Sequence, residues 1–324
     1  MSKHLFGMIL THQGIYANNR GENEGNATTI QKVLSNGELY STVSAESIRY
    51  ALREGWQIAG HLVNRRVVDH RSVRITDREF VAWTECLDDD VLGFMHARNE
   101  TLSRRGPLEI TRAISLSPWR GEIMRNFASP GSNPSVTTND PIPYAVEVHD
   151  TRYQFGFAIT PEFLGKENLD EKSHLDGSRK KERLQVVLEG ILNLRRVGGN
   201  HARYFTDYSP EAVVLRWTDD PAPRFLYCFE ENEQGSLSLG PLLKRIKGGD
   251  IDADEVIIGT ALDIACLWQS SKGKPDPNPN TGKCDGTQHT APGTGSLEEA
   301  RVRVEPGVKK AVEFLLERIE PSSL

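Results

Sequence analysis

The sequence predicts an α+β fold built on a split βαββαβ core, of the ferredoxin-like or RRM-like kind. Three observations lead there. An apolar strand pattern near the N-terminus is followed by an amphipathic helix, two further strand patterns precede a second amphipathic helix, and another strand pattern comes after it. Two long stretches without a clear apolar period interrupt this order and read as insertions.

The first strand is Leu5 to Leu10. The stretch Asn18-Asn19-Arg20-Gly21-Glu22-Asn23-Glu24-Gly25-Asn26 follows and reads as a loop. Asn and Gly tolerate unusual backbone angles and offer hydrogen-bonding groups at close range, which suits a surface that follows an irregular ligand. Helix one starts after Ser44, a good N-cap, with Glu46 at the positive end of the dipole. Ile48, Ala51, Leu52 and Trp56 recur at helical spacing as a buried stripe. Arg49 and Arg53 sit one turn apart beside it, two planar charged forks suited to phosphates. Loop and helix together read as part of a nucleic-acid cradle.

Residues 61–107 are charge-dense, with Arg65, Arg66, Arg71, Arg74, Arg78, Arg98, Arg104 and Arg105 around the acidic run Asp88-Asp89-Asp90, and read as an insertion outside the core. Leu108 to Leu116 alternates as a second strand, and Tyr144 to Ile159 reads as a hairpin or a bent strand. Residues 128–143 between them are turn-forming throughout, which implies an extended projecting loop. Lys181 to Leu194 returns to helical spacing through Leu184, Val187, Leu188, Ile191 and Leu192, with Arg195 and Arg196 at its negative end and Gly198-Gly199 to stop it. Glu211 to Trp217 reads as a strand and Glu255 to Trp268 as an apolar helix. Residues 270–296 read as a flexible loop, and 297–324 as a C-terminal helical segment ending near Glu320.

With 324 residues the chain can bury a proper core, and no run approaches the roughly 20 apolar residues of a membrane span. The N-terminal apolar run is too short for a signal-peptide core, so a cytoplasmic location without a membrane partner is expected. Cys86, Cys228, Cys266 and Cys284 lack zinc-ligand spacing, and Cys284 with His289 makes a poor two-ligand site; no metal and no cofactor are expected. The net charge of -6 is uneven: residues 1–205 hold 26 Lys/Arg against 25 Asp/Glu, and residues 206–324 hold 13 against 20. Phosphate binding depends on local potential, so Arg-dense patches in the first two thirds are compatible with a backbone-tracking groove, as they are with an ordinary mixed surface.

Together the opening strand with Gly7, the Asn19-Arg20-Gly21 and Glu24-Gly25-Asn26 pieces, Tyr40-Ser41-x-Val43-Ser44 leading into Ile48 to Glu54, Pro107-Leu108, and Gly198-Gly199-Asn200-His201-Ala202-Arg203 form a pattern. It resembles the DevR-like group of CRISPR-associated backbone subunits, the repeated RNA-binding subunit of type I Cascade surveillance complexes. That resemblance implies an RRM-like palm, formed by 1–60, 108–120 and 144–268, with a helical finger insertion at 61–107 and an extended thumb loop at 121–143. It also implies several copies assembled head to tail along a guide RNA, the thumb of each displacing a base so that the bases between remain free to pair with target DNA. The partners are then guide (CRISPR) RNA, neighbouring copies, other Cascade subunits and, through the guide, target DNA.

Carried over residue by residue, Asn18, Asn19, Arg20 and Asn26 would line the guide, Arg49 and Arg53 would meet phosphates, and Gly198, Gly199, Asn200, His201 and Arg203 would form a glycine-rich loop beside the palm. Plainer readings stand beside these: a helix cap for Gly198-Gly199, a surface pair with Glu46 or Glu54 for Arg49, and a surface histidine for His201. The chain carries no Gly-x-Ser-x-Gly, His-Glu-x-x-His or Gly-x-x-x-x-Gly-Lys-Ser/Thr motif, and is expected not to be an enzyme. The alternative is a metal-dependent target-RNA ribonuclease of the type III backbone kind, acting through Asp140 in the thumb.

Overall fold

A computed structural model describes residues 2–69, 72–97, 101–128, 141–166, 174–198, 206–232, 235–262 and 300–324. The opening strand β1 (His4–Thr11) lies inside a nine-stranded sheet. The other strands, in chain order, are β2 (Lys32–Ser35), β3 (Glu38–Val43), β4 (Leu108–Ile110), β5 (Ala113–Ser115), β6 (Tyr153–Ile159), β7 (Pro210–Thr218), β8 (Val256–Thr260) and β9 (Arg303–Glu305). Their order across the sheet is β9-β8-β7-β1-β6-β5-β3-β2, with β4 also paired to β6. Antiparallel pairing sets Leu5 of β1 opposite Ile159 of β6 and Trp217 of β7. Gly7 is demanded by this packing: a methyl there would lie 2.1 Å from the ring of Phe157, its register partner.

The helices are α1 (Ala45–Ile58), α2 (Leu87–Leu92), α3 (Gly177–Leu192), α4 (Gly240–Lys247) and α5 (Val308–Arg318). Trp56 of α1, Leu184 and Leu188 of α3 and Leu315 of α5 pack with Leu5, Ile9, Phe155 and Leu215 on one face of the sheet. On the other face Phe6, Met8, Leu10, Val214 and Ile258 lie beneath Phe225, Phe229 and Leu242. Covering both faces is why β1 reads as a continuous apolar run and does not alternate. Through the middle of the sheet the order is β7-β1-β6 and then β4 and β5, with α1 lying between β1 and β4 in the chain and α3 between β6 and β7.

α1 matches its expected start and stripe: Ser44 Oγ accepts from Ser47 N at 3.2 Å, and Ile48, Ala51, Leu52 and Trp56 are buried. Other elements differ from expectation. The amide-rich stretch is a hairpin, Asn19–Glu24 against Ala27–Ile30, and it joins Ile142–Glu147 and Ile123–Ala128 in a four-stranded sheet. The arms of the expected thumb loop are therefore strands, paired from Ile123↔Glu147 to Ala128↔Ile142, while 129–140 lies outside the described residues.

The segment 61–107, expected to be helical, contains two hairpins, Arg65–Asp69 with Ser72–Ile75 and Gly93–His96 with Leu102–Arg105, and one short helix, α2. Its acidic run is core: Asp88, Asp89 and Asp90 are fully buried. α3 ends at Leu192 with Asn193 as its C-cap, so Gly198 does not stop it. Val256–Thr260 is strand β8 where a helix was expected. Five buried residues look alike in either state, and the β-branched Val256, Ile257 and Ile258 favour the strand. The loop 270–296 lies outside the described residues. Among the described residues no helix is long and apolar enough to cross a membrane.

Candidate nucleic-acid interface

Segments far apart in the chain meet at the N-terminus of α1. Tyr16 is buried among Tyr153 and Tyr208, with ring centroids 5.0 and 5.2 Å away, and its hydroxyl donates to the carbonyls of His12 at 2.6 Å and Asp207 at 3.0 Å. This cluster fixes the chain just before Asn18 and just after the glycine-rich loop. Asn18 is only 3% exposed, and its Nδ2 has no hydrogen-bond partner among the described residues. A buried amide donor left unpaired is costly, and Asn18 lies close to the N-terminus of a helix, an end whose free N–H groups and dipole favour anions.

Gly198 closes the other side. Its φ of +45° lies in the left-handed region, and a methyl there would sit 3.0 Å from Ser47 Oγ and 3.8 Å from Asn18 Oδ1. A larger residue would crowd the first turn of α1, so glycine keeps backbone, Asn18 and Ser47 in close approach. Asn26 stands apart from this junction, exposed in the turn of the amide-rich hairpin, with its carbonyl accepting from Ala145 N at 3.1 Å. Asn19 and Arg20 lie on the first strand of that hairpin. Gly199, Asn200, His201 and Arg203 lie outside the described residues, as do Asp140, Cys284 and His289.

The two helix arginines have different fates. Arg53 Nε donates to Asp88 at 3.0 Å, and its side chain is only 11% exposed against a fully buried carboxylate. Arg49, one turn earlier, donates to the carbonyl of Leu92 and lines a groove of about 480 Å³ with Arg65, Arg105, Phe94 and Met95. Burial lowers the pKa of both guanidinium groups, reinforced at Arg49 by the Arg53 charge and opposed at Arg53 by the Asp88 carboxylate. Arg65 Nη1 donates to Gly93 O at 3.3 Å in the same groove. Guanidinium groups carry five donors, so Arg49 and Arg65 are oriented by one bond each and keep others for a phosphate.

A buried carboxylate hub holds this groove. Asp88 accepts from the backbone N–H groups of Asn64 at 2.7 Å and Arg65 at 3.0 Å. Asp89 accepts from Asn64 Nδ2 at 2.7 Å, and its second oxygen has no partner among the described residues. Burial, and then the Asp88 charge, push the Asp89 carboxyl up to about 7. Asp90 pairs with Arg104 and Arg183 and accepts from Gly165 N at 2.9 Å. Sequence reasoning missed this hub because three consecutive carboxylates in a polar stretch look solvated. Their partners Arg53, Arg104 and Arg183 come from three separate segments, and no local spacing links them to the acidic run.

The family model described as CRISPR-associated negative auto-regulator DevR/Csa2 matches residues 14–233. The chain belongs to this family. A DevR/Csa2 relative supports it: the CRISPR-associated protein Cas7/Cst2/DevR of Myxococcus xanthus (strain DK1622) is 41% identical over 277 residues, covering 80% of this chain and 87% of that protein. The fold is similar to a chain of a CRISPR RNA-guided surveillance complex at 14% identity and a TM-score of 0.55, covering 98% of this chain and 99% of that one. It is likewise similar to a chain of a CRISPR RNA-guided surveillance complex in a pre-nicking state, at 11% identity and a TM-score of 0.57, covering 97% and 99%. The matched span of this DevR/Csa2 chain contains Asn18, the whole of α1, the arginine groove and Gly198.

One further polar cluster bears on chemistry. Ser41 Oγ lies 2.7 Å from His149 Nδ1 and 2.6 Å from Tyr153 OH, but Ser41 and His149 are sealed in the interior at 0% and 1% exposure. Burial lowers the His149 pKa. This buried hydroxyl and imidazole stitch β3 to Tyr153 of β6 and to the strand His149–Thr151, and substrate has no access to them.

Proposed function

We propose that this DevR/Csa2 chain is a non-catalytic guide-RNA-binding subunit that polymerises along the guide as the backbone of a CRISPR surveillance complex and presents it for pairing with target DNA. The observation that carries this reading is the meeting of Asn18, Ser47 and Gly198 at the N-terminus of α1. One phosphate there would gain a buried amide donor and the positive end of a 14-residue helix. Arg49 and Arg65 extend the grip along the groove, while Arg53 serves as scaffold. The sheet order β7-β1-β6 followed by β4 and β5 supports an RRM-like palm, with 61–107 as fingers and 121–143 as thumb. Because both sheet faces are covered, the guide runs along the rim and not across the strands.

Purifying the chain from its host and measuring the ultraviolet absorbance ratio and the length of co-purified RNA tests the reading. RNA of uniform length is expected, loading cooperatively and with a salt slope near -0.7 per neutralised charge. A monomer with no affinity for oligoribonucleotides at low ionic strength defeats it. On this reading the chain has no nuclease activity, so target RNA with divalent ion stays intact with wild type and Asp140→Ala alike. Ion-dependent cleavage lost in Asp140→Ala would return the ribonuclease reading.

A further inference from the structure

The hairpin of Arg65–Asp69 and Ser72–Ile75 carries a feature the guide interface does not use. Register sets Arg66 directly opposite Arg74, both exposed, and neither meets a carboxylate among the described residues. Like charges directly opposite on antiparallel strands destabilise the pair unless something anionic lies between them. Val68 of the same strand is also exposed.

The hairpin is nevertheless held firmly. Gln57 of α1 brackets Val67, accepting from its N–H at 2.7 Å and donating to its carbonyl at 3.0 Å. At the base Thr76 N and Oγ1 both donate to Asn64 O, at 3.0 and 2.9 Å. A supported prong presenting two unneutralised guanidinium groups is built for an anion, and two forks flanking one position match a phosphodiester.

Position separates this pair from the guide contacts. Strand alternation turns Arg65 toward the groove and Arg66 to the opposite face. Gln57, which anchors the hairpin, is ten residues along α1 from Ser47, about 15 Å at 1.5 Å per residue. We infer that Arg66 and Arg74 grip the backbone of a second nucleic-acid strand, the one paired to the guide. The inference rests on the guide-binding reading above. A paired duplex carries two backbones, and a grip on one at the α1 N-terminus leaves the other for a basic prong set off along the helix.

The test uses the full chain loaded with guide RNA, titrated with complementary single-stranded DNA across a salt series. Wild type is compared with Arg66→Ala/Arg74→Ala and with Arg66→Lys/Arg74→Lys. The alanine pair is expected to load guide as wild type does, to bind the complementary DNA about tenfold more weakly, and to lower the salt slope by about 1.4, two charges at -0.7 each. The lysine pair, which keeps the charge, should keep the slope. Unchanged DNA affinity and slope in the alanine pair overturn the inference and leave an acidic protein as the better occupant. So does an equal loss of guide loading, which would assign the pair to the guide. If wild type loads no guide, the guide-binding reading fails on its own, and the same titration with a free DNA duplex decides the hairpin: equal slopes for wild type and the alanine pair overturn it.

Discussion

Arg49 and Arg53 look interchangeable in sequence, four residues apart on one helix edge, yet one faces a groove and the other a buried carboxylate. Their alanine variants should separate cleanly. Arg53→Ala leaves Asp88 buried with only two backbone donors, so it should cost about 3 kcal/mol of stability. Arg49→Ala gives up one bond to a carbonyl and should cost about 1 kcal/mol while weakening RNA binding and flattening its salt dependence. Denaturant unfolding of RNA-free protein and a salt titration with guide RNA measure the two effects; similar stability losses would contradict the assignment. The helix, its cap and its stripe were legible because local spacing and capping chemistry determine them. The split between the arginines was not, because it depends on a carboxylate that lies 35 residues away in sequence.

At the scale of elements, α2 is a six-residue helix, and two of its carboxylates, Asp88 and Asp90, tie the insertion to α1 and α3, Asp90 also holding Arg104 of the hairpin Gly93–His96 with Leu102–Arg105. Asp89 gives this junction a pH signature. Its folded-state value of about 7 lies above the ordinary 3.8, so the native state holds the proton more tightly than the unfolded chain. The resulting stabilisation is complete below about 4 and is lost as pH rises through about 7. Asp88, Arg53 and Arg65 face the same site, and Asn64 supplies its one hydrogen bond. Asp89→Asn cannot ionise, so its thermal midpoint should gain on wild type between pH 5 and pH 8. A difference independent of pH would mean that Asp89 stays charged. The thumb arms allow a second test at this scale. Ala128 pairs with Ile142, so replacing 129–141 by Asn-Gly should close a tight hairpin without disturbing the main sheet. On the proposed function the spacing of protected guide nucleotides then changes; a wild-type footprint would remove the thumb from guide contact. The Ile123–Ala128 arm escaped sequence reasoning because the turn-rich residues after it dominated the composition of the segment, whereas most of the Ile142–Glu147 arm falls within the Tyr144 to Ile159 strand reading.

The whole molecule differs from a bare four-stranded RNA-binding sheet in one decisive way. Such sheets present aromatic side chains on an open face for bases to stack on, whereas here Phe6, Phe155 and Phe157 are all 5% exposed or less, shut under α1 and α3 on one side and the segment of Phe225 to Leu243 on the other. The core order of strands and helices was visible in sequence because each element carries its own period. The cover on the second face was not, since the described residues of 219–251 hold short strands and an eight-residue helix with little period of their own. With the faces closed, the guide contact of the proposed function is confined to the rim: the Asn18 junction, the first turns of α1 and the arginine groove. Ultraviolet cross-linking of a guide-loaded chain followed by peptide mapping should therefore recover peptides spanning 16–26, 44–50, 93–106 and 194–206. Peptides from β1, β6 and β7 should be absent. Cross-links concentrated on those central strands would require the Phe225 to Leu243 cover to open on binding, and the Asn18 junction would lose its place as the phosphate contact.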